Sequence, residues 1–533
     1  MLKTTPSKLK AIWADIKTYR NAYILTLITS FGGMLFGWDT GLIGGVLTME
    51  PFQRSFDLKT TTDAEKKAFS NLSGNIVSVL QAGCFFGAMS SFYISDRFGR
   101  RTALVFGAAV FLVGSTMQTC SGLKSTSLTL LYCGRAVGGF GVGLISAVVP
   151  SYIGENANKE IRGRCIGTMQ LFNVTGIMLS FFVNYGIIAS SISGTSLQWR
   201  VPFALQMIPG VFLLTGLATQ PESPRWLVEK GKIDAARIAL SRVRRKPAND
   251  PSISRELEEI MADFEGHENL SLLLQLKASC ANRKIFYQVS MGVILMFWQQ
   301  WTGTNSINYY APQIFESIGI QGQKSGLFAT GIYGVVKVVI TSLGLMLATE
   351  QIGRKYSLMI GSAGQAFAMF YIGIQGAVAP TIPGQGLTGS GTFAIISVYL
   401  FVVFYSISWG PIPFVLAAEC SPNHVRSLSM ALSLMTQWLF NFVIARTVPI
   451  MLTNITYGTF LLFGGCSTCC FLYAMICVPE TAKVPLESIH KLFEQNIIKG
   501  AFMDNFPRHR RAKMLQENFS DVNFTADFTG NRS

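Results

Sequence analysis

The residues best equipped for chemistry in this chain are polar groups set inside apolar stretches. Side-chain amides stand there at Gln170, at Gln299, Gln300 and Asn305, and at Gln437 and Asn441. An amide carries a donor end and an acceptor end, so a group of them suits a ligand ringed with hydroxyls. Inside a membrane helix such amides lack solvent, and several facing one cavity would mark a pathway. The competing use is to bond one helix to another. A second group is Asp39, near the middle of the apolar run 21–48. An ionised carboxylate is costly at that depth, so it must be protonated, paired or hydrated. Arg135, in the run 127–152, is the candidate partner. Burial favours the neutral acid and a close arginine favours the ionised one, so a change in their separation could load and release a proton. Two more cations, Lys337 and Arg446, also stand in apolar runs. Arg446 is near the end of its run and can reach for the headgroups. Lys337 is deeper, and the sequence names no partner for it.

The elements that must hold these groups are membrane helices. Apolar residues make up 49% of the chain and charged ones 14%, against about a quarter charged in a soluble globular chain. Apolar blocks long enough to cross about 30 Å of hydrocarbon as α-helix occur at 21–48, 72–95, 102–120, 127–152, 163–190, 199–219, 283–315, 323–349, 356–380, 391–418, 427–452 and 456–478. They predict an all-α, twelve-span transmembrane bundle. An even number of spans leaves both termini on one side. About 34 of the 44 Lys and Arg fall in the tails and loops of that side, which the positive-inside rule makes cytoplasmic. The net charge of +15 is therefore a topology signal, and no single basic domain exists to bind nucleic acid. The expected organisation is a cytoplasmic N-terminus at 1–20, a six-span bundle at 21–219, a cytoplasmic linker at 220–282, a second six-span bundle at 283–478 and a cytoplasmic tail at 479–533. In the linker, Ser223-Pro224 suits a helix start. Leu257, Ile260, Met261 and Phe264 follow the spacing of one apolar helical stripe.

The two bundles echo each other. Asp96, Arg97, Gly99 and Arg100 after the second span recur as Glu350, Gln351, Gly353 and Arg354 after the eighth. Glu155 and Arg162 after the fourth recur as Glu419 and Arg426 after the tenth, and Pro221-Glu222-Ser223 recurs as Pro479-Glu480-Thr481. Three motifs returning in one order imply a duplicated six-span unit, with pseudo-symmetric halves. Their charges all lie on the cytoplasmic face and are candidate gates.

Together these motifs resemble the sugar porters of the major facilitator superfamily, over residues 25 to 485. The resemblance is carried by Gly37-Trp38-Asp39-Thr40-Gly41, the run Asp96 to Arg101, Gly134-Arg135 and Pro221-Glu222-Ser223-Pro224-Arg225-Trp226-Leu227. It continues in Gln299-Gln300 with Asn305, Gly410-Pro411-Ile412-Pro413 and Pro479-Glu480-Thr481. Asn308-Tyr309-Tyr310-Ala311-Pro312 and Gly334-Val335-Val336-Lys337 look most like fungal hexose and pentose carriers. The resemblance implies alternating-access transport of a monosaccharide, a hexose such as glucose or a pentose such as xylose, in symport with a proton. It makes Gln170, Gln299, Gln300 and Asn305 the hydroxyl ligands, with Trp438 against the sugar's C–H face and Asn441 a further ligand. It makes Asp39 the proton site with Arg135 tuning it, since proton-coupled members carry an acid there. The gating charges Asp96, Arg97, Arg100, Glu155, Arg162, Glu222, Glu350, Arg354, Glu419, Arg426 and Glu480 would pair between the halves when the carrier faces outward. Phe414, Asn158, Glu350 and Gln351 depart from the family pattern. Phe414 stands where many glucose carriers have tryptophan.

Other functions fit less well. No phosphate-cradling Gly-x-x-x-x-Gly-Lys-Ser/Thr loop is present for an ATP-driven pump. His267, His424, His490 and His509 all fall in loops or the tail, which argues against an enzyme. Cys466, Cys469 and Cys470 lie in an apolar helix without histidine and read as small core residues, not a metal site. No cofactor is expected. The partners expected are a sugar, a proton and the bilayer of the plasma membrane, with the monomer as the working unit. A facilitative uniporter, a sugar sensor, or a carrier of a sugar acid such as quinate using Lys337 or Arg446 are the alternatives. Asn71 and Asn454 are the glycosylation sequences that would face outside.

Overall fold

The computed structural model describes residues 17–58, 62–123, 126–158, 160–265, 277, 282–320, 322–345, 352–379, 388–421 and 425–505, with short gaps between 483 and 496. It forms two compact units, 1–59 with 76–269, and 60–75 with 270–533. Ten helical stretches among the described residues are long and apolar enough to cross a bilayer. The two remaining expected spans are helical as well, but carry more polar groups.

Unit 1 contains α1 (Arg20–Leu47), α2 (Glu50–Ser55), most of α3 (Asp63–Phe98), α4 (Arg100–Cys120), α5 (Thr129–Asn156) and α6 (Arg162–Ile188). The sixth span breaks into α7 (Leu197–Leu205) and α8 (Met207–Ala218). Helix α1 lies against α6 along a seam of small residues four apart. A methyl on Gly37 would stand 1.9 Å from the Asn173 carbonyl, and one on Gly41 would stand 2.1 Å from Ser180 Oγ. Only glycine allows that approach, which substitutes backbone contact for the missing hydrophobic drive between helices in lipid. Asp39 lies between these two glycines in sequence and so projects from the other side of α1, towards α5.

The linker helices belong to unit 1: α9 (Pro224–Glu229), α10 (Ile233–Arg244) and α11 (Pro251–Glu265). Ser223 accepts from the Trp226 N–H with Pro224 in the first turn, the start the sequence signalled. Ile253, Leu257, Ile260 and Met261 of α11 pack with Trp226, Leu227, Ala236 and Leu240 into one small core. The Phe264 side chain is outside the described residues.

Unit 2 contains α12 (Arg283–Trp301), α13 (Thr304–Ser317), α14 (Gln323–Leu343), α15 (Arg354–Val378), α16 (Gly389–Ile407), α17 (Ile412–Cys420), α18 (Arg426–Asn454), α19 (Gly458–Cys477) and the short α20 (Ile497–Met503). Two of its spans are interrupted. Between α12 and α13 the chain turns at Gly303, which adopts φ +90°. Between α16 and α17 it unwinds over Ser408 to Pro411; a proline there cannot donate to the preceding turn. Helix α13 also kinks at Tyr310, φ −125°, two residues ahead of Pro312. Non-helical backbone at such positions in a membrane protein persists only where protein or a cavity satisfies it.

Candidate functional site

In unit 1 the Asp39 and Arg135 side chains are 1% and 0% exposed, with Oδ1 3.5 Å from Nη1. That is an ion-pair distance but too long for a good hydrogen bond. Neither Asp39 oxygen accepts a hydrogen bond among the described residues, while Arg135 Nη2 reaches the Val77 carbonyl at 3.4 Å. The acid is thus held near a cation without being locked to it. Gln170 lies on α6 of the same unit, half-buried, and its amide makes no hydrogen bond among the described residues.

In unit 2 the other amides converge. Gln299, Gln300 and Asn305 are 2, 1 and 8% exposed, so all three are buried. Gln299 Nε2 donates to the Trp409 carbonyl at 2.8 Å and to the Gly410 carbonyl at 3.2 Å. These two acceptors exist because the α16–α17 break frees them. Gln300 Nε2 donates to Gln299 Oε1 at 3.3 Å, and Asn305 Nδ2 donates to Gln300 Oε1 at 2.6 Å. Asn308 Nδ2 donates to Asn305 Oδ1 at 3.1 Å. The turn at Gly303 swings α13 so that Asn305 can fold back on the last turn of α12.

Helix α18 supplies Gln437, Trp438 and Asn441, which are 6, 1 and 0% exposed. Asn441 Oδ1 accepts from the Tyr309 hydroxyl at 3.0 Å, and the Tyr310 hydroxyl donates to the Ala445 carbonyl at 2.8 Å. Gln437 Oε1 and Asn441 Nδ2 are buried with no hydrogen-bond partner among the described residues. An unmet acceptor and an unmet donor one turn apart on one face match a group that both donates and accepts. Phe297 and Phe440 pack edge to face at 4.6 Å and fix α18 beside α12. Phe414 is half-buried on α17.

Lys337 acquires the partner that the sequence left unnamed: its Nζ donates to Asn308 Oδ1 at 3.0 Å. The ammonium also stands 5.8 and 5.7 Å from the ring centres of Tyr333 and Tyr405, and Tyr333 donates to the same Asn308 oxygen at 3.3 Å. Arg446 is half-buried on α18. Its Nη1 is buried, close to Gly74, where the absence of a side chain leaves room for it.

The duplicated charges form the same clasp in each unit. Arg100 Nε meets Glu155 Oε1 at 3.2 Å and Arg100 Nη1 meets Asp96 Oδ1 at 3.1 Å. In unit 2, Arg354 Nη2 meets Glu419 Oε1 at 3.1 Å. Glu155 accepts from the Ser223 hydroxyl, and Glu419 accepts from the Thr481 hydroxyl at 2.9 Å. Glu222 accepts the Arg101 backbone N–H at 2.9 Å, and Glu480 accepts that of Arg354 at 3.0 Å. A carboxylate thus caps the N-terminus of α4 and of α15, where the helix leaves N–H groups unpaired. Burial nevertheless raises the Glu222 carboxyl above its ordinary 4.5, outweighing those backbone donors. Arg101 donates to the Leu217 and Ala218 carbonyls, and Lys355 donates to that of Met475, closing the C-terminal turns of the last span of each unit. Arg97 lies over Tyr93 and Phe98, and Arg162 is half-buried. Glu350, the Arg426 side chain and the four histidines lie outside the described residues.

Sequence reasoning missed Asn308 and the Trp409 and Gly410 carbonyls. Asn308 stood in view one turn after Asn305. The carbonyls were signalled only indirectly, by the prolines that follow them.

Comparison with known proteins gives this arrangement its relatives. The family model "Sugar (and other) transporter" matches residues 25–493. A probable quinate permease of Neosartorya fischeri is 36% identical over 481 residues, covering 89% of this chain and 88% of the relative. The quinate permease of Emericella nidulans is 36% identical over 480 residues with the same coverage. Among solved structures, the major facilitator superfamily proton:xylose symporter XylE bound to 6-bromo-6-deoxy-D-glucose superposes with a TM-score of 0.74 and 29% identity, covering 90% of this chain and all of that one. The inward open conformation of the xylose transporter XylE from E. coli gives 0.71 and 29%, covering 89% of this chain and 100% of that one. These relatives are permeases and symporters rather than enzymes, and the fold, the doubled clasp and the family match agree: the chain is a multi-pass membrane transporter of the sugar porter family within the major facilitator superfamily.

Proposed function

We propose that this protein is a proton symporter for a monosaccharide, a hexose or a pentose, working by alternating access as a monomer in the plasma membrane with both termini cytoplasmic. The observation that carries the reading is the row of buried amides in unit 2, together with the unmet Gln437 and Asn441 atoms. Each hydrogen bond nets about 0.5–1.5 kcal/mol, and millimolar to micromolar affinity requires about 4–8 kcal/mol. A few amides and one aromatic face, that of Trp438, supply that. Proton coupling rests on Asp39, a buried acid near but not locked to Arg135, and on the proton:xylose symporter among the structural neighbours. The clasp charges serve as gate elements in this reading.

Asp39→Asn decides the coupling. In a cell lacking its own sugar carriers, the wild type accumulates radiolabelled sugar above the external level in acid medium. The variant only equilibrates it, while retaining exchange of internal for external sugar. A variant that still concentrates sugar removes Asp39 from the coupling and leaves a different proton site or none.

A second reading is favoured by two observations: curated relatives are named quinate permeases, and Lys337 is a buried cation with no carboxylate beside it among the described residues. Quinate carries ring hydroxyls for the amides and a carboxylate for a cation. Competition of labelled glucose and xylose uptake by quinate, and the converse, separates the two cargoes.

A further inference from the structure

The polar groups of unit 2 form a line whose two ends are chemically unlike. At one end stands Lys337, whose ammonium can only donate. At the other stand the Trp409 and Gly410 carbonyls, which can only accept. Between them the contacts run Lys337 to Asn308, Asn308 to Asn305, Asn305 to Gln300, Gln300 to Gln299, and Gln299 to the two carbonyls. An amide alone is free to turn over, exchanging its donor and acceptor ends. Here only one setting of all four satisfies every link. Asn308 must turn its oxygen to Lys337, so it offers N–H to Asn305; Asn305 then does the same to Gln300, and Gln300 to Gln299. Turning any one over sets donor against donor on one side and acceptor against acceptor on the other. With both ends fixed and every member buried, the direction of the line is imposed by its ends.

The line also decides what is left over. Gln299 spends both N–H groups on the carbonyls and keeps one lone pair. Asn308 Oδ1 spends its lone pairs on Lys337 and Tyr333 and keeps one N–H. Gln300 and Asn305 each spend one N–H and one lone pair, and each keeps one of both. Two neighbouring groups that each donate once and accept once are the complement of two neighbouring hydroxyls on a ring.

We propose that Lys337 is a positioning residue: through Asn308 it sets the direction of the amide line, so that Gln300 and Asn305 each meet the substrate with one N–H and one lone pair and select a vicinal diol. Lys337 itself need not touch the substrate. The proposal rests on the reading of these amides as substrate ligands, and the experiment separates the two.

The probes are D-glucose, D-xylose and the series of monodeoxy-monofluoro-D-glucoses, whose fluorine cannot donate a hydrogen bond. Inhibition constants against labelled glucose or xylose uptake give a hydroxyl-to-fluorine preference at each ring position. The wild type is expected to prefer hydroxyl by about tenfold at one or two adjacent positions, the worth of a hydrogen bond. In Lys337→Met the line loses its fixed donor, and that preference falls to within about twofold, while binding weakens less. Lys337→Arg, again donor-only, retains it. Asn308→Asp provides a second route that keeps the lysine paired. Its carboxylate cannot donate to Asn305, so the preference collapses there too, with the buried cation still compensated. A wild type that transports none of these sugars, or shows no hydroxyl preference at any position, overturns the ligand reading and this proposal with it. A wild-type preference that survives unchanged in Lys337→Met, or in Asn308→Asp where the methionine variant does not fold, overturns the role of Lys337 alone.

Discussion

At the scale of single residues, a buried amide in a membrane helix can hold the fold or hold a ligand, and contact alone does not separate these uses. Asn441 is the sharpest instance. Its oxygen accepts from Tyr309, a bond between α13 and α18, while its Nδ2 is buried without a partner. Asn441→Leu takes away the acceptor that the Tyr309 hydroxyl uses on α18, and the loss of one buried hydrogen bond costs about 0.5–1.5 kcal/mol. Adding Tyr309→Phe removes the donor of that bond as well, and replacing both partners by apolar groups is close to neutral. We therefore expect the single variant to lower the thermal unfolding midpoint of the purified protein and the double variant to regain most of it. Sugar uptake should not follow: if Nδ2 serves the substrate, KM stays raised by about tenfold in the double variant, near 1.4 kcal/mol. Uptake that recovers together with stability would reduce Asn441 to a strut between helices. The Asp39–Arg135 pair poses the same question in another form. Removing either member of a buried pair leaves an uncompensated charge worth about 3–5 kcal/mol, so Arg135→Ala and Asp39→Asn both test folding before coupling, and the sugar exchange expected of Asp39→Asn is the readout that shows it has folded.

At the scale of elements, each clasp depends on a glycine that opens a helix. Gly99 and Gly353 adopt φ +98° and +95°, which L side chains rarely enter. A methyl on either would stand 2.4 Å from an oxygen of Glu222 or Glu480. The carboxylate that caps α4 or α15 can approach only because that methyl is missing. Gly99→Ala should therefore cost about 1–3 kcal/mol in backbone strain, beyond the displaced carboxylate. Adding Glu222→Ala relieves the contact but not the φ, so the unfolding midpoint recovers only in part. Gly353→Ala should behave alike if the two units are built alike, and full stability in either alanine variant would refute the account. The charges that make these clasps were legible in the sequence because their motifs recur in order, but their pairing within each unit was not. The expectation that the charges pair between halves came from the family resemblance. Within each unit they pair with one another: Arg100 with Glu155, and Arg354 with Glu419. The turn at Gly303 was not legible. It falls inside the apolar run 283–315, whose one proline, Pro312, stands nine residues further on, and glycine in such a run is common. The bond from Lys337 to Asn308 was hidden for a related reason. It links residues on different spans, and the kink at Tyr310 lies between Asn308 and the proline that allows it.

At the scale of the whole molecule, the apolar runs located the spans closely because a bilayer imposes a length and a polarity on every crossing. Their polar contents could be named but not arranged, since which amide meets which depends on breaks at Gly303 and Gly410 that periodicity does not show. Orientation is a separate question and rests on charge alone. The linker is rich in Arg and Lys, among them the run Arg242, Arg244, Arg245 and Lys246. Each such residue near an anionic cytoplasmic leaflet gains about 1 kcal/mol. Inverting the molecule would forfeit that for the linker and both tails together, so a single orientation is expected. The test starts from a chain with all ten cysteines changed to serine. In that background Thr126→Cys, at an exposed position between α4 and α5, should react with a membrane-impermeant maleimide in intact cells. Glu258→Cys, at an exposed position on α11, should react only once the membrane is opened. Reaction at position 258 in intact cells would put the linker outside. It would reverse the direction in which Asp39 could bring a proton into the cell.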